Sequence, residues 1–211
     1  PPRSTPKPSS AASDVYKRQD LGTYTAEDHQ VFLRNLRQQV IEGSRWIART
    51  ASSFDRNHAE IRSTVIGHAV DEHRDYEMLE KDYVASGGKL EDILNMEKNI
   101  GSEALHGFLM YRASRSNPVD LLGAMWIIEG LGEKMANSWA ERIQEITGLS
   151  ANSTRFMTYH GLHDGDHMQE FYHTLNSVCV DEQATACIVK TAKVVARLYR
   201  LQLEEVEYDI Q

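Results

Sequence analysis

The sequence predicts an all-helical bundle, and three observations carry that expectation. Apolar residues recur every three or four positions in segments that run from Ala26 to Glu207. No stretch alternates apolar and polar residues with the two-residue period of a strand. The strongest turn signals, Gly87-Gly88, Asn117-Pro118 and Gly148, fall between the periodic segments.

Each element has its own justification. Thr25 can cap a first helix, with Asp28 at the capping-box position, and the helical period then extends from Ala26 to Ser53. A second helix runs from about Arg56 to Ser86, where the Gly87-Gly88 pair stops it. A shorter helix covers Ser102 to Ser114. The pair Asn117-Pro118 makes a turn, Pro118 opens a fourth helix, and Gly148 closes it. A fifth helix spans Asn152 to Val178, with Gly161 and Gly165 as points of expected irregularity. The last covers Glu182 to Glu207.

Polar residues placed on apolar faces give the first indication of function. His160, Asp164 and His167 fall at i, i+4 and i+7, on one face of the fifth helix, between Phe156 and Phe171. A face that runs apolar, His, Asp, His, apolar points into a core. In the second helix, Ile61, Val65, His68, Glu72, Asp75, Leu79 and Tyr83 repeat this construction. Glu129 sits inside the apolar run Ala124-Met-Trp-Ile-Ile-Glu of the fourth helix. Burying imidazoles and carboxylates without partners costs several kcal/mol. A metal ion offsets that cost by taking up their lone pairs, so the candidate ligands are His68, Glu72, Asp75, Glu129, His160, Asp164 and His167. Oxygen donors with a few imidazoles and no thiolates suit iron or manganese better than structural zinc. The bland alternative is a buried polar network that ties helices together. Two Glu-x-x-His pairs, Glu103/His106 and Glu170/His173, have ferritin-like spacing, but their flanking residues turn the histidines off the apolar faces. Trp46, Phe108, Met110, Tyr111, Met125, Trp126, Tyr159 and Tyr172 are candidate pocket-lining residues, with ordinary core packing as the alternative for each.

Residues 1–19 have a different character. Four of the five prolines lie there, and Ser9 to Gln19 reads SSAASDVYKRQ, which is what a common transposon-based sequencing adapter encodes in one frame. We read this segment as translated adapter, disordered and outside the fold, ahead of one helical metal-binding domain over residues 20–211. The segment holds four basic residues and one acidic one, out of 23 and 31 in the whole chain. Without it 19 and 30 remain, a net charge of −11. So acidic a chain does not suit nucleic acid or an anionic membrane as partner. No apolar run reaches the length of a membrane span. Cys179 and Cys187 are expected as reduced core thiols of a cytoplasmic protein.

Taken together, Leu121 to Trp139 (LLGAMWIIEGLGEKMANSW) and the later FMTYHGLHDGDHMQEFYHTL resemble the heme-oxygenase-like di-iron oxidases of the wider TenA/PqqC structural group. The shared pattern is Ala-x-x-x-x-Glu-Gly followed by His-x-x-x-Asp-x-x-His, here Glu129, His160, Asp164 and His167. Gly22 to Phe54 is similar to the group's first complete helix, and Asp71 to Gly88 to its acidic ligand helix. The resemblance implies a heme-oxygenase-like helical bundle. It also implies an oxidase or oxygenase that activates dioxygen at a carboxylate/histidine site with two iron ions, manganese being the alternative, to oxidise a small organic metabolite. The partners would be dioxygen and a small-molecule substrate; a homodimer is left open. One departure stands out. Where the family places a second-helix histidine this chain has Asp75, with Glu72 three residues earlier and His68 seven earlier. Either His68 or Asp75 can complete the set, and both one-metal and two-metal sites are open. The alternatives are a TenA-type hydrolase of thiamin-related pyrimidines, a metal-free small-molecule-binding bundle and, more weakly, a heme protein.

Overall fold

The computed structural model describes residues 22–209, and every regular element in it is helical. The adapter reading of residues 1–19 lies outside the described residues. Helix α1 spans Ala26–Val40 and α2 spans Gly43–Ser52. The Thr25 capping box forms as expected, with Thr25 and Asp28 exchanging side-chain and backbone hydrogen bonds. Helix α3, Ala59–Asp71, passes through a 3-10 turn at Glu72–Arg74 into α4, Tyr76–Ala85. A short α5, Leu90–Leu94, precedes α6, Ile100–Ala113. Helix α7, Leu122–Leu131, runs through a π-helical turn at Gly132–Ala136 into α8, Asn137–Thr147. Helices α9, Arg155–Val178, and α10, Glu182–Asp209, complete the described chain.

The structure corrects the expected elements in four places. The first expected helix breaks after Val40, so α1 and α2 are separate. The second is interrupted at Glu72–Arg74. The fourth is interrupted at Gly132–Ala136, whereas the fifth, α9, runs unbroken through Gly161 and Gly165. Gly161 serves close approach instead: a Cβ there would meet the backbone nitrogen of Asn137 at 2.7 Å. Short α5 was missed, since five residues are too few to show a period. Asn117 takes a positive φ of 49° in the expected turn, and its side chain bonds Asp55 on both sides, at 2.8 Å each. Gly148, at φ 71°, ends α8 in the left-handed conformation that glycine adopts without steric cost. The thiols of Cys179 and Cys187 are free but exposed, not in the core. Cys179 follows the last turn of α9, and Cys187 sits on the outer side of α10.

Two apolar cores form. One joins α1, α4 and α8 through residues such as Leu33, Leu36, Leu79 and Ile143; Phe156 packs on it. The other joins α2, α3, α6 and α7 through Trp46, Val65, Leu105 and Met125, together with Phe171. Helix α9 packs on α7 and along the π-helical turn, and reaches from the first core to the second. Its polar face therefore lies where the two cores meet. No described helix is long and apolar enough to cross a membrane.

One buried acid fixes the start of α9. Asp82, fully buried on α4, accepts from the backbone N–H of Phe156 at 2.9 Å, and its other carboxylate oxygen has no hydrogen-bond partner. Burial pushes its pKa up from 3.8 to about 7, against the opposing pull of the Phe156 N–H. The folded chain therefore favours the protonated form. Stability from this group is full below the unfolded pKa near 4 and falls as pH rises to about 7. Asp82→Asn keeps an acceptor and removes the titration. Urea denaturation should show the variant gaining on the wild type between pH 4 and 7, and level above that. Parallel stability curves across this range would show that Asp82 does not titrate as described.

Candidate metal centre

Four segments supply the centre. His68 comes from the last turn of α3, Glu72 and Asp75 from the 3-10 turn and the residue after it, Glu129 from α7, and His160, Asp164 and His167 from α9. The 3-10 turn matters here. It has three residues per turn, so positions i and i+3 eclipse, and Glu72 and Asp75 are brought to the same side. A straight α-helix would rotate them apart by about 60°.

Two clusters result. His68, Glu72, Glu129 and His167 each place a ligand atom within 4.8 Å of the others. Glu72, Asp75 and His160 do the same, so Glu72 belongs to both. Within the first, Glu129 lies between the two imidazoles: Oε2 is 3.1 Å from His167 Nδ1 and Oε1 is 3.5 Å from His68 Nε2. Within the second, His160 Nε2 is 3.2 Å from Asp75 Oδ2. Asp164 stands behind His160, its Oδ1 2.9 Å from Nδ1 of that ring. Phe156 covers His160 at a ring distance of 4.3 Å, and Phe171 meets His68 edge-on at 5.0 Å. Apolar walls thus close both ends of the polar face.

These residues fit a bound metal. The Nε2 atom of His160 is buried and makes no aligned hydrogen bond, although two carboxylates adjoin it. Its other ring nitrogen is held by Asp164, which is how a ligating histidine is commonly oriented and tuned. The acids also outnumber what the imidazoles can balance. Four carboxylates, Glu72, Asp75, Glu129 and Asp164, face three histidines in a space from which water is largely excluded. Burial and the charges of Glu129, Asp75 and Asp164 push Glu72 up from 4.5 to about 8. Burial likewise raises Glu129. Burial would lower His160, but its bond to Asp164 and the nearby carboxylates of Asp75 and Glu72 outweigh this and raise it to about 11. The bond to Glu129 raises His167 to about 9. His68, by contrast, is lowered to about 3 by burial and by its cationic neighbours His167 and His160. In the metal-free chain, protons thus fill the role that cations can take over.

All seven residues singled out in the sequence meet at this place. The choice between His68 and Asp75 dissolves, because the 3-10 turn admits one to each cluster. Asp164 stands outside both clusters, as the partner of His160. The expected pocket residues fare less well. Trp46 lines a cavity beside the centre and Trp126 an outer groove. Met125 is core, Phe108 and Met110 pack against core, and Tyr111, Tyr159 and Tyr172 are exposed. His106 faces Glu42 at 3.8 Å, and Glu103, Glu170 and His173 are exposed, so neither Glu-x-x-His pair takes part. Three contributors were not foreseen. Asp71, largely exposed, reaches within 3.6 Å of His167 Nε2. Tyr199 of α10 lines the cavity. Gly132, in the π-helical turn, leaves the space that Asp164 occupies, since a Cβ there would coincide with Asp164 Oδ2. A straight-helix reading gave Asp71 no place on the inward face, and no local pattern marks Tyr199 or Gly132.

Gly132 yields a direct test. Gly132→Ala should drive the Asp164 carboxylate off His160 without altering the helical content. Loss of a partner behind a metal ligand typically weakens metal affinity about 10- to 100-fold. Equilibrium dialysis against a divalent cation, with circular dichroism as the folding control, measures this. Unchanged affinity in a folded variant would show that Asp164 does not support His160.

No curated protein matches the chain. A domain of unknown function from Shewanella denitrificans OS217, with a heme oxygenase-like fold, superposes with a TM-score of 0.84. The match covers 94% of this chain and 91% of that one at 19% sequence identity, which establishes the fold. The profile of a family described as iron-containing redox enzyme matches residues 30–200, and this spans all seven candidate ligands. By that match the chain belongs to the iron-containing redox enzyme family.

Proposed function

We propose that this protein is an iron-dependent oxidase or oxygenase that uses dioxygen to oxidise a small organic molecule, with two iron ions per chain and manganese as the alternative occupant. The observation that carries the proposal is the membership of Glu72 in both clusters. A carboxylate common to two ligand sets is the arrangement expected when two cations sit side by side. On this reading His68, Glu129 and His167 hold one ion, Asp75 and His160 hold the other, and Glu72 lies between them. Asp164 fixes the ring of His160. Iron held by such oxygen-rich ligands supplies the electrons and the open coordination position that dioxygen chemistry needs.

The remaining work falls to the chain itself. A cavity of about 90 Å3 adjoins Glu72, Glu129 and His160, and its walls are mainly apolar. Those walls keep water from the reacting groups, which strengthens every electrostatic interaction among them. The phenol of Tyr199 keeps its proton, because burial and the charges of Glu129 and Asp164 push its pKa up. Tyr199 thus contributes a neutral side chain to the lining of this cavity. The hydrolase alternative needs a cysteine nucleophile facing the cavity. Neither Cys179 nor Cys187 is among the lining residues, and both are exposed. Dioxygen and a small molecule are the partners, in a cytoplasmic setting.

Two measurements test the proposal. Anaerobic loading with ferrous iron followed by metal analysis should give one to two irons per chain, two if both clusters fill. The double variant His160→Ala, His167→Ala removes one imidazole from each cluster and should bring this close to zero. Full iron content in that variant would refute the ligand assignment. Separately, the ferrous protein should consume oxygen faster than the double variant in an oxygen-electrode assay across a panel of small metabolites. Equal rates would leave an iron-binding protein with no oxidase activity.

A further inference from the structure

One edge of the centre reaches the surface. Of its three imidazoles, His68 and His160 are 3% and 9% exposed, whereas His167 is 21% exposed. The two ring nitrogens of His167 face different surroundings. Nδ1 adjoins the buried Glu129, 3.1 Å from Oε2, and Nε2 adjoins Asp71, 3.6 Å from Oδ2. The Asp71 side chain is 57% exposed and makes no other ion pair among the described residues. The 3.6 Å separation is too long for a hydrogen bond. Two ligand atoms that share a cation at ~2.1 Å stand about 3.0 Å apart at right angles and about 4.2 Å apart in line. The observed separation falls in that range. Helix formation gives Asp71 no reason to stand here. It is the last residue of α3, where the carbonyl end of a helix disfavours negative charge.

We propose that Asp71 and His167 Nε2 form an outer position that captures a divalent cation from solvent and passes it to the buried clusters. This rests on the metal-binding part of the reading above and not on its oxidase chemistry. The imidazole makes the hand-over, because one ring faces Asp71 on its solvent side and Glu129 on its buried side. A turn of that ring about the Cβ–Cγ bond carries an ion inward. Asp71 belongs to neither cluster, so it has no part in the filled centre. A residue on the path but outside the final site changes the rates of entry and exit by one factor and leaves affinity alone.

Stopped-flow mixing of the metal-free protein with cobalt(II) follows entry through quenching of Trp46 and Trp139, which line the adjoining cavity. A chase with EDTA follows exit, and metal analysis gives the final content. Asp71→Asn should slow entry and exit about tenfold each, with affinity and cobalt content unchanged. Asp71→Glu restores a carboxylate and should recover most of the rate. Glu170→Gln removes another exposed acid, one helical turn from His167, and should have little effect. That control separates capture from general attraction of cations by surface charge. The exposure of Asp71 lets its variants fold, which circular dichroism checks. Unchanged rates in Asp71→Asn overturn the proposal, and so does equal slowing in Glu170→Gln. Weaker affinity with an unchanged entry rate makes Asp71 a resident ligand and overturns it as well. A wild type that takes up no cobalt refutes the metal centre and this inference with it. In a wild type that loads, the rate comparison decides the inference alone.

Discussion

The whole arrangement depends on disposing of buried charge. Four carboxylates and three imidazoles occupy the junction of two apolar cores, most of them below one-tenth exposed. Such a cluster cannot be left unneutralised, since even one unpaired buried charge can exceed the stability of a typical domain. Two substitutes for solvent are available. Protons on Glu72, His160 and His167 serve in the metal-free chain, and divalent cations would serve when bound. The flanking Phe156 and Phe171 make the problem unavoidable, because they place the polar face of α9 in both cores at once. Moving His68, His160, Asp164 or His167 to the surface would require turning α3 or α9 and parting His68 from Phe171 or His160 from Phe156.

The irregular backbone follows from the same requirement. Straight helices cannot bring seven side chains from four segments to one point without misdirecting some. The 3-10 turn at Glu72–Arg74 aligns Glu72 with Asp75 while His68 stays in reach on the preceding α-helical turn. The π-helical turn at Gly132–Ala136 follows Glu129 directly and contains the one residue, Gly132, whose lack of a side chain lets Asp164 approach. Opposite it on α9, Gly161 allows the same closeness to Asn137. Both departures from α-helical geometry thus border the candidate ligands, and such distortions are often found at functional sites.

Much of this was legible in the sequence. Inward-facing polar residues on apolar stripes have few explanations, so His160, Asp164, His167, His68, Glu72, Asp75 and Glu129 could be named from spacing and flanks. The helical class, although not the number of separate helices, was legible for the same reason: a 3.6-residue period survives over long segments. Backbone distortions were not. A 3-10 or π turn shifts the register by a fraction of a residue spacing, which leaves the apolar pattern nearly intact. That is why both interruptions went unseen, and why His68 and Asp75 looked like competitors when the structure admits both. Gly161 and Gly165 were suspected of bending α9 on composition alone. Tertiary contact, not local propensity, decides such positions. The aromatic residues of the cavity were the least legible, because a tryptophan that lines a cavity and one that fills a core carry the same pattern.

The cavity beside the clusters also bears on what kind of metal site these residues would make. A structural site surrounds its ion with protein ligands and is closed, whereas a catalytic site keeps a position open to solvent or substrate. Here protein atoms approach from α3, α7 and α9, while the side towards Leu36, Trp46 and Tyr199 is vacant and apolar-walled. A fold that needed the metal only for stability would gain by filling that space, since cavity volume costs stability in proportion to its size. Retaining it next to the most heavily charged buried cluster in the described chain makes sense if a molecule occupies it.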